Sequence, residues 1–174
     1  MTDGTPEPNR VPFSGNRPSV AESAFVSRQS YLVGDVTVGE RASVWPFVCA
    51  RGDGGPVTIG DGTNVQEFTM LHGATLEEQV AVGHGAVIDY ATVEPGSLVG
   101  MHSTVMRDAT VGPNAVVAAG AVVLQGQTVP EGHVAFGTPA ETRPMSEDQQ
   151  VQAELVQEHY VELSREYKAE GGFE

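Results

Sequence analysis

The sequence predicts an all-β solenoid, in which short strands wind into stacked triangular coils, followed by one C-terminal helix. Aliphatic residues recur every six positions along the middle of the 174-residue chain, and glycine often follows them. The last segment carries a helix-capping signal and helical spacing of apolar residues. Residues 1–20 are expected to form an extended or disordered lead-in, residues 21–140 the solenoid, and residues 141–174 the helix and tail.

The six-residue repeat carries the fold prediction. Six residues hold one short strand and a turn, so three repeats make one coil of about 18 residues. The aliphatic side chain points inward, and stacked coils pair their backbones at about 4.8 Å. A β-sandwich would have to produce the longest register by chance. That register is Val93, Val99, Val105, Val111, Val117, Val123 and Val129, preceded by shorter runs at Val38 and Val44, at Ile59, Val65 and Leu71, and at Val82 and Ile88.

The C-terminal segment has the pattern of an amphipathic helix. Ser146 and Gln149 match a capping box. We expect the helix to run to about Lys168 and to pack its apolar stripe along the solenoid wall, with residues 169–174 frayed. The residues of that stripe are Val151, Leu155, Val156, Tyr160, Leu163 and Tyr167.

The charge balance excludes several classes of partner. With 23 acidic and nine basic residues the formal net charge is −14, which disfavours binding to nucleic acid or to an anionic membrane surface. Strong acidity with a single lysine, Lys168, suggests a halophilic, high-salt cytoplasm. One cysteine, Cys49, permits no internal disulfide and fits a reducing compartment. The polar N-terminus and the lack of a long apolar run predict a cytoplasmic protein without signal peptide or membrane span.

Function is expected where the repeat is interrupted, because local rules are broken mainly at functional sites. Residues 50–56 interrupt the first coils, and residues 73–81 are predicted to form a loop after Leu71 and His72. Between Ile88 and Val93 one repeat is shortened to five residues.

Two histidines and an aspartate lie close to these interruptions. Asp89 follows His72 by 17 residues, so both are expected to stack on one edge of the prism. His84 faces another edge, and a site using all three therefore needs two subunits. Two histidines with one carboxylate are a ligand set for Zn²⁺ or Fe²⁺, although surface histidines on turns are the ordinary alternative. His102, about one coil beyond His84, is the candidate to replace Asp89 as a ligand.

A set of short segments between Ser43 and Pro144 occurs in a characteristic order and register. They are Ser43–Pro46, Arg51–Asp53, Thr63–Gln66, Leu71–His72, Val82–His84, Val99–Met101, Ala118–Ala121 and Gly137–Ala140 before Arg143 and Pro144. In these segments the chain resembles the gamma-class carbonic anhydrases and their close relatives, which are left-handed parallel β-helices. The tail segment from His159 to Tyr167 is also typical of them.

The resemblance implies a homotrimeric lyase that hydrates CO₂ reversibly to bicarbonate. It implies a metal between subunits, usually zinc, with iron or another divalent metal as alternatives. The ligands would be His72, His84 and the residue at position 89, where the family has a third histidine and this chain has Asp89. A carboxylate lowers the positive charge of the site and makes water less acidic, so weakened activity is expected.

The resemblance also assigns roles to nearby polar residues. Gln66 would point at the water of the site and Asn64 would support it. Arg51 and Asp53 would pair across the trimer interface. Some members have a glutamate directly after that aspartate, where this chain has Gly54. The proton-shuttling glutamate of active members is replaced by Thr75, and the neighbouring candidates for the proton relay are Glu77 and Glu78.

Two other functions remain open at this stage. The first is a catalytically inactive relative that acts as a structural or small-molecule-binding homotrimer, which Asp89 and Gly54 favour. The second is a hexapeptide-repeat acyltransferase with a histidine base and acyl-CoA. The Arg51–Asp53 and Asn64–Gln66 segments and the lack of a clear CoA-binding extension argue against the acyltransferase.

Overall fold

A computed structural model describes residues 9–171 of the chain. It is a parallel β-solenoid with a C-terminal helix, so the expected hexapeptide-repeat β-helix is confirmed. Most coils are 17 or 18 residues long, as the pairing of Val65 with Val82 and of Val99 with Val117 illustrates. The coil that contains residues 50–56 is longer, because Val44 pairs with Val65, 21 residues later.

Within the described residues the chain forms twenty strands, most of them only two residues long. In order they are β1 (Arg10–Val11), β2 (Ser19–Val20), β3 (Phe25–Val26), β4 (Tyr31–Val38), β5 (Ser43–Val44), β6 (Cys49–Ile59), β7 (Asn64–Val65), β8 (Met70–His72), β9 (Thr75–Leu76), β10 (Ala81–Val82), β11 (Val87–Asp89), β12 (Thr92–Val93), β13 (Leu98–Val99), β14 (Thr104–Val105), β15 (Thr110–Val111), β16 (Val116–Val117), β17 (Val122–Val123), β18 (Thr128–Val129), β19 (His133–Phe136) and β20 (Glu141–Pro144).

The strands line three faces. The first face contains β8, β11, β14 and β17, and the second contains β9, β12, β15 and β18. The long strands β4 and β6 run across both of these faces, so they join them into one sheet. The third face runs from β3 through β5, β7, β10, β13 and β16 to β19, and β20 ends it by pairing antiparallel with β19.

The core is a column of aliphatic side chains along the solenoid axis. Every valine of the register from Val93 to Val129 is buried, as predicted. The same column continues through Leu71, Leu76 and Ile88, which are fully buried. Each coil buries its apolar residues only against the coils above and below, so the stability of the fold comes from stacking.

Two of the predicted interruptions have regular structure. Residues 73–81 do not form a loop: Thr75 and Leu76 form β9, in register with β6 and β12. The prediction was wrong because Leu76 follows Leu71 by five residues, and a search for steps of six misses it. Residues 50–56 lie within the continuous strand β6.

The two ends of the solenoid also differ from the prediction. Strands β1 and β2 pair with β4, so the described part of the lead-in already belongs to the sheet, and residues 1–8 lie outside the described residues. Helix α1 (Glu147–Glu170) begins at the predicted Ser146 capping box. It ends at Gly171, whose left-handed conformation caps it, so residues 169 and 170 are helical rather than frayed. The expected fraying of residues 172–174 falls outside the described residues.

Aromatic side chains dock α1 on the third face. The Trp45 ring lies 5.1 Å from the Tyr167 ring and 5.7 Å from the Tyr160 ring, in edge-on geometry. The predicted stripe is only partly correct, because Val151 and Leu155 are exposed. Within residues 9–171, no helix has both the length and the apolar character required to cross a membrane.

We predict that Leu76→Ala destabilises the protein far more than Leu124→Ala. Leu76 is fully buried in the column and its truncation leaves a cavity, which costs about 2–5 kcal/mol, whereas Leu124 is 45% exposed. Unfolding free energies from urea titration at one protein concentration test this. Equal losses would contradict the assignment of β9 to the core.

Candidate metal centre

His72 and Asp89 lie at one corner of the solenoid, at the ends of β8 and β11. The two residues are direct partners in the parallel ladder between these strands, and Arg51 of β6 is the next partner in the same column. Asp89 Oδ1 lies 2.8 Å from His72 Nδ1. The structure therefore brings together the pair that the spacing of 17 residues predicts.

The second nitrogen of His72 faces another carboxylate. His72 Nε2 lies 3.5 Å from Asp53 Oδ1, an atom that is shielded from solvent and accepts no hydrogen bond within residues 9–171. The other oxygen, Asp53 Oδ2, accepts a hydrogen bond of 2.9 Å from Arg51. This bond lowers the pKa of the Asp53 carboxyl and raises the pKa of Arg51. Arg51 and Asp53 thus pair within one chain, and their expected pairing across an interface is untested.

Tyr90 covers this corner, and the sequence analysis did not identify it. Its ring meets the His72 ring edge-on at 4.7 Å, and its hydroxyl lies 3.4 Å from His72 Nε2. The Arg107 guanidinium lies 3.8 Å above the Tyr90 ring. This contact has the geometry of a cation–π interaction.

Tyr90 occupies a space that exists because three neighbouring residues are glycines without a Cβ. A Cβ at Gly73 would lie 2.6 Å from the Tyr90 ring, and one at Gly55 would lie 3.1 Å from it. A Cβ at Gly54 would overlap the Tyr90 hydroxyl. Gly54, the position where some family members have glutamate, is therefore sterically linked to Tyr90. A bulky residue inside the shortened repeat between Ile88 and Val93 was the signal in the sequence.

His84 lies at a different corner from His72, after β10. Its Nδ1 lies 2.7 Å from Oε2 of Glu67, which precedes it by one coil and which the sequence analysis missed. The His102 amide donates to the His84 carbonyl, so His102 stacks below this corner and not near His72. Among residues 9–171 of a single chain, no three His, Cys, Asp or Glu side chains are grouped as a metal site.

The remaining predicted residues fall into two groups. Gln66 and Asn64 are buried together, and Gln66 Nε2 donates to Asn64 Oδ1 at 3.1 Å. Glu77 and Glu78 follow β9, one corner further along the coil from His72, and no described side chain bonds to their carboxylates. They lie on a regular turn instead of the expected loop, because Thr75 is part of β9.

A largely apolar cavity of about 360 Å³ lies between the third face and α1. Gln66 and His84 line it together with Leu98, Met101 and Tyr160. Burial, with a smaller contribution from the Glu67 charge, raises the pKa of Tyr160. The cavity therefore combines an apolar wall with an amide and an imidazole.

Known proteins similar to this chain include carbonic anhydrases and a transferase-family protein. A carbonic anhydrase of Geobacillus kaustophilus is 39% identical over 164 residues, covering 91% of this chain and 90% of that protein. Gamma carbonic anhydrase 2, mitochondrial, of Arabidopsis thaliana is 33% identical and matches 88% of this chain and 59% of its own length. The crystal structure of a hexapeptide transferase family protein from Anaplasma phagocytophilum has a TM-score of 0.88 at 34% identity, over 91% of this chain and 97% of that one. No protein-family model matches the chain.

We predict that Gly54→Glu destabilises the wild-type chain and is better tolerated beside Tyr90→Ala. A side chain at position 54 overlaps the Tyr90 hydroxyl, and overpacking of this kind costs about 1–3 kcal/mol. A double-mutant cycle of unfolding free energies measures the coupling.

The exposed Phe13 provides the control for this cycle, because Phe13→Ala removes an aromatic ring that does not touch Gly54. It should leave the cost of Gly54→Glu unchanged. A coupling near zero with Tyr90→Ala would mean that the two positions are independent.

Proposed function

Because the chain belongs to the gamma carbonic anhydrase family, we propose that it catalyses the reversible hydration of CO₂ to bicarbonate with a divalent metal, zinc in the first place and iron as the alternative. The observation that carries this proposal is the environment of His72 Nε2. Asp53 Oδ1, a solvent-shielded carboxylate oxygen with no hydrogen-bond donor among residues 9–171, faces it at 3.5 Å. When bound, the metal acidifies water and so supplies the nucleophile for CO₂ hydration.

The donor types around His72 fit such a metal. Imidazole nitrogens and carboxylate oxygens are ordinary zinc ligands, and non-haem iron uses the same types. Asp53 Oδ1 is a buried acceptor that accepts no hydrogen bond from residues 9–171. A bound cation would compensate for the missing hydrogen bond. His72 is accordingly the first ligand that we propose.

His84 would join the site from a second copy of the chain. Within one chain it lies at another corner and bonds Glu67. The first face supports association of copies, because it presents outward apolar side chains such as Tyr31 and Val87, flanked by the exposed stacked rings of Phe47 and Phe68. Contiguous exposed apolar surface of this kind marks an interaction site. A homotrimer with metal sites between subunits is the assembly that we propose.

The apolar cavity would bind the substrate, and Gln66 would bind the water. CO₂ is small and uncharged, which suits the walls of Leu98 and Met101. Gln66 donates to Asn64 through Nε2, so its Oε1 is the atom left to accept a hydrogen bond from water. Glu77 and Glu78 are proposed as proton relays, one corner away from His72.

The rate is expected to be lower than in relatives with three histidine ligands. A carboxylate near the metal reduces its positive charge, and the acidity of the water depends on that charge. Position 54 also lacks the glutamate of some relatives. The acidic composition and the single cysteine support a cytoplasmic protein of a high-salt cell.

An acyltransferase is the second candidate, and an inactive structural or ligand-binding homotrimer is the third. The hexapeptide transferase family name of the Anaplasma protein favours the acyltransferase. Direct titration with acetyl-CoA separates these alternatives. Tight acetyl-CoA binding without metal supports the acyltransferase, and absence of both metal and activity supports the inactive homotrimer.

We predict that two inactive variants complement each other when they are expressed together. His72→Ala and His84→Ala each destroy every site if one site needs both residues from neighbouring subunits. In randomly mixed trimers about one quarter of the sites regain both histidines. Metal content and stopped-flow CO₂ hydration of the mixture, compared with each variant alone and with wild type, measure the recovery.

Two outcomes would contradict this proposal. Wild-type protein with neither bound metal nor CO₂ hydration would exclude the enzyme. Activity that fails to recover in mixed assemblies, verified by two affinity tags, would place both histidines in a site within one chain.

A further inference from the structure

The two ring nitrogens of His72 have different roles in the hydrogen-bond network. A carboxylate accepts hydrogen bonds and donates none. The 2.8 Å contact with Asp89 Oδ1 therefore assigns the ring hydrogen to Nδ1. Nε2 then carries the lone pair, which accepts a hydrogen bond of 3.4 Å from the Tyr90 hydroxyl on the side where Asp53 also lies.

The register of β8 and β11 explains why Asp89 reaches the near nitrogen. Asp89 and His72 are direct partners on adjacent strands, so their side chains leave the backbone side by side. The aspartate side chain is shorter than that of histidine and ends beside Nδ1 instead of Nε2. The Asp89 carboxylate therefore contacts Nδ1, the ring nitrogen nearer to the backbone.

Asp53 has the geometry of a ligand that would share a cation with His72. Its Oδ1 lies 3.5 Å from Nε2. Two ligand atoms of one tetrahedral zinc, each about 2.0–2.2 Å from the metal, are roughly 3.4 Å apart. Arg51 holds the other oxygen, Oδ2, at 2.9 Å, which fixes the carboxylate so that Oδ1 faces the imidazole.

We propose that Asp53 supplies the carboxylate ligand of the metal site and that Asp89 is a positioning residue, which orients His72 through Nδ1. This assignment rests on the proposed function, because it refines the metal site on which that function depends. A carboxylate bonded to the far nitrogen of a ligating histidine fixes the ring and its tautomer, and loss of such a partner typically lowers metal affinity by about 10–100-fold.

Two other arrangements make different predictions. In the first, Asp89 is itself the ligand, as the spacing of the sequence suggests. In the second, a protonated His72 donates to Asp89 from Nδ1 and to Asp53 from Nε2, and the three residues form an ion-paired cluster that holds no metal.

The experiment is a titration of the full-length metal-free protein with Co²⁺, followed by visible absorption. The spectrum of Co²⁺ reports its ligands independently of catalysis, and competition with Zn²⁺ gives the affinity. The variants are Asp53→Asn, Asp89→Asn and Asp89→Ala. Arg51→Gln breaks the ion pair but keeps the Asp53 carboxylate, and Asp61→Asn controls for the loss of one surface charge.

The proposal predicts a distinct result for each variant. Asp53→Asn changes the Co²⁺ spectrum and lowers affinity more than about 100-fold, whereas Arg51→Gln lowers it less than about tenfold. Asp89→Ala keeps the band positions and loses about 10–100-fold in affinity. Asp89→Asn recovers most of that loss, because an amide oxygen still accepts from Nδ1. Asp61→Asn binds as wild type does.

Three results would overturn the proposal. An altered spectrum in both Asp89 variants would make Asp89 the ligand. Equal losses of Co²⁺ affinity in Asp53→Asn and Arg51→Gln would mean that Asp53 acts as the ion-pair partner of Arg51 and not as a ligand. Absence of Co²⁺ binding in the wild type would support the alternative in which His72, Asp53 and Asp89 form an ion-paired cluster without metal. The two Asp89 variants test the positioning role even if Asp53→Asn fails to fold, which circular dichroism would reveal.

The metal readout separates this proposal from the proposed reaction. Co²⁺ binding with the expected pattern but without CO₂ hydration would retain the ligand assignment and exclude the carbonic anhydrase. CO₂ hydration with a spectrum that depends on Asp89 would retain the enzyme and overturn the ligand assignment.

Discussion

In-register parallel pairing between successive coils decides where each side chain of this protein can lie. A residue is placed directly against the residue one coil later, which is 17 or 18 positions away for Val65 with Val82 and Val99 with Val117. The separation is 21 positions for Arg51 with His72. Polar residues therefore meet in columns along a corner, whatever their order in the chain. Arg51, His72 and Asp89 form one such column, and side chains at different corners cannot join it within the same chain. A site that needs both corners has to form between copies, so the proposed metal site depends on the proposed assembly.

The five-residue steps shape the corner at His72. Leu71 to Leu76 and Ile88 to Val93 are both one residue shorter than the repeat, and both aliphatic ends remain buried. The chain turns there with positive φ at Gly73 and Tyr90. Left-handed backbone costs little at glycine, but at a tyrosine it has to be compensated by contacts. The Arg107 guanidinium and the His72 ring supply those contacts.

The sequence predicted what periodicity encodes. The buried register, the Ser146 capping box and the stacking of His72 with Asp89 all follow from counting residues. Counting in strict steps of six missed β9. The contact of Glu67 with His84 could have been predicted, because these residues are 17 positions apart, as His72 and Asp89 are. The approach of Asp53 and Tyr90 to Nε2 could not be predicted, because it depends on how side chains turn around a corner.

The charges around His72 separate the ability to hold a metal from the ability to activate water. Asp53 and Asp89 bring two carboxylates to one imidazole, and Arg51 donates to Asp53 Oδ2. The excess negative charge favours a bound cation, since opposite charges attract most strongly where solvent is excluded. The same carboxylates reduce the effective positive charge that makes water acidic. In the proposed site the two carboxylates would therefore raise the affinity for the metal and lower the acidity of its water, and slow CO₂ hydration is the expected consequence.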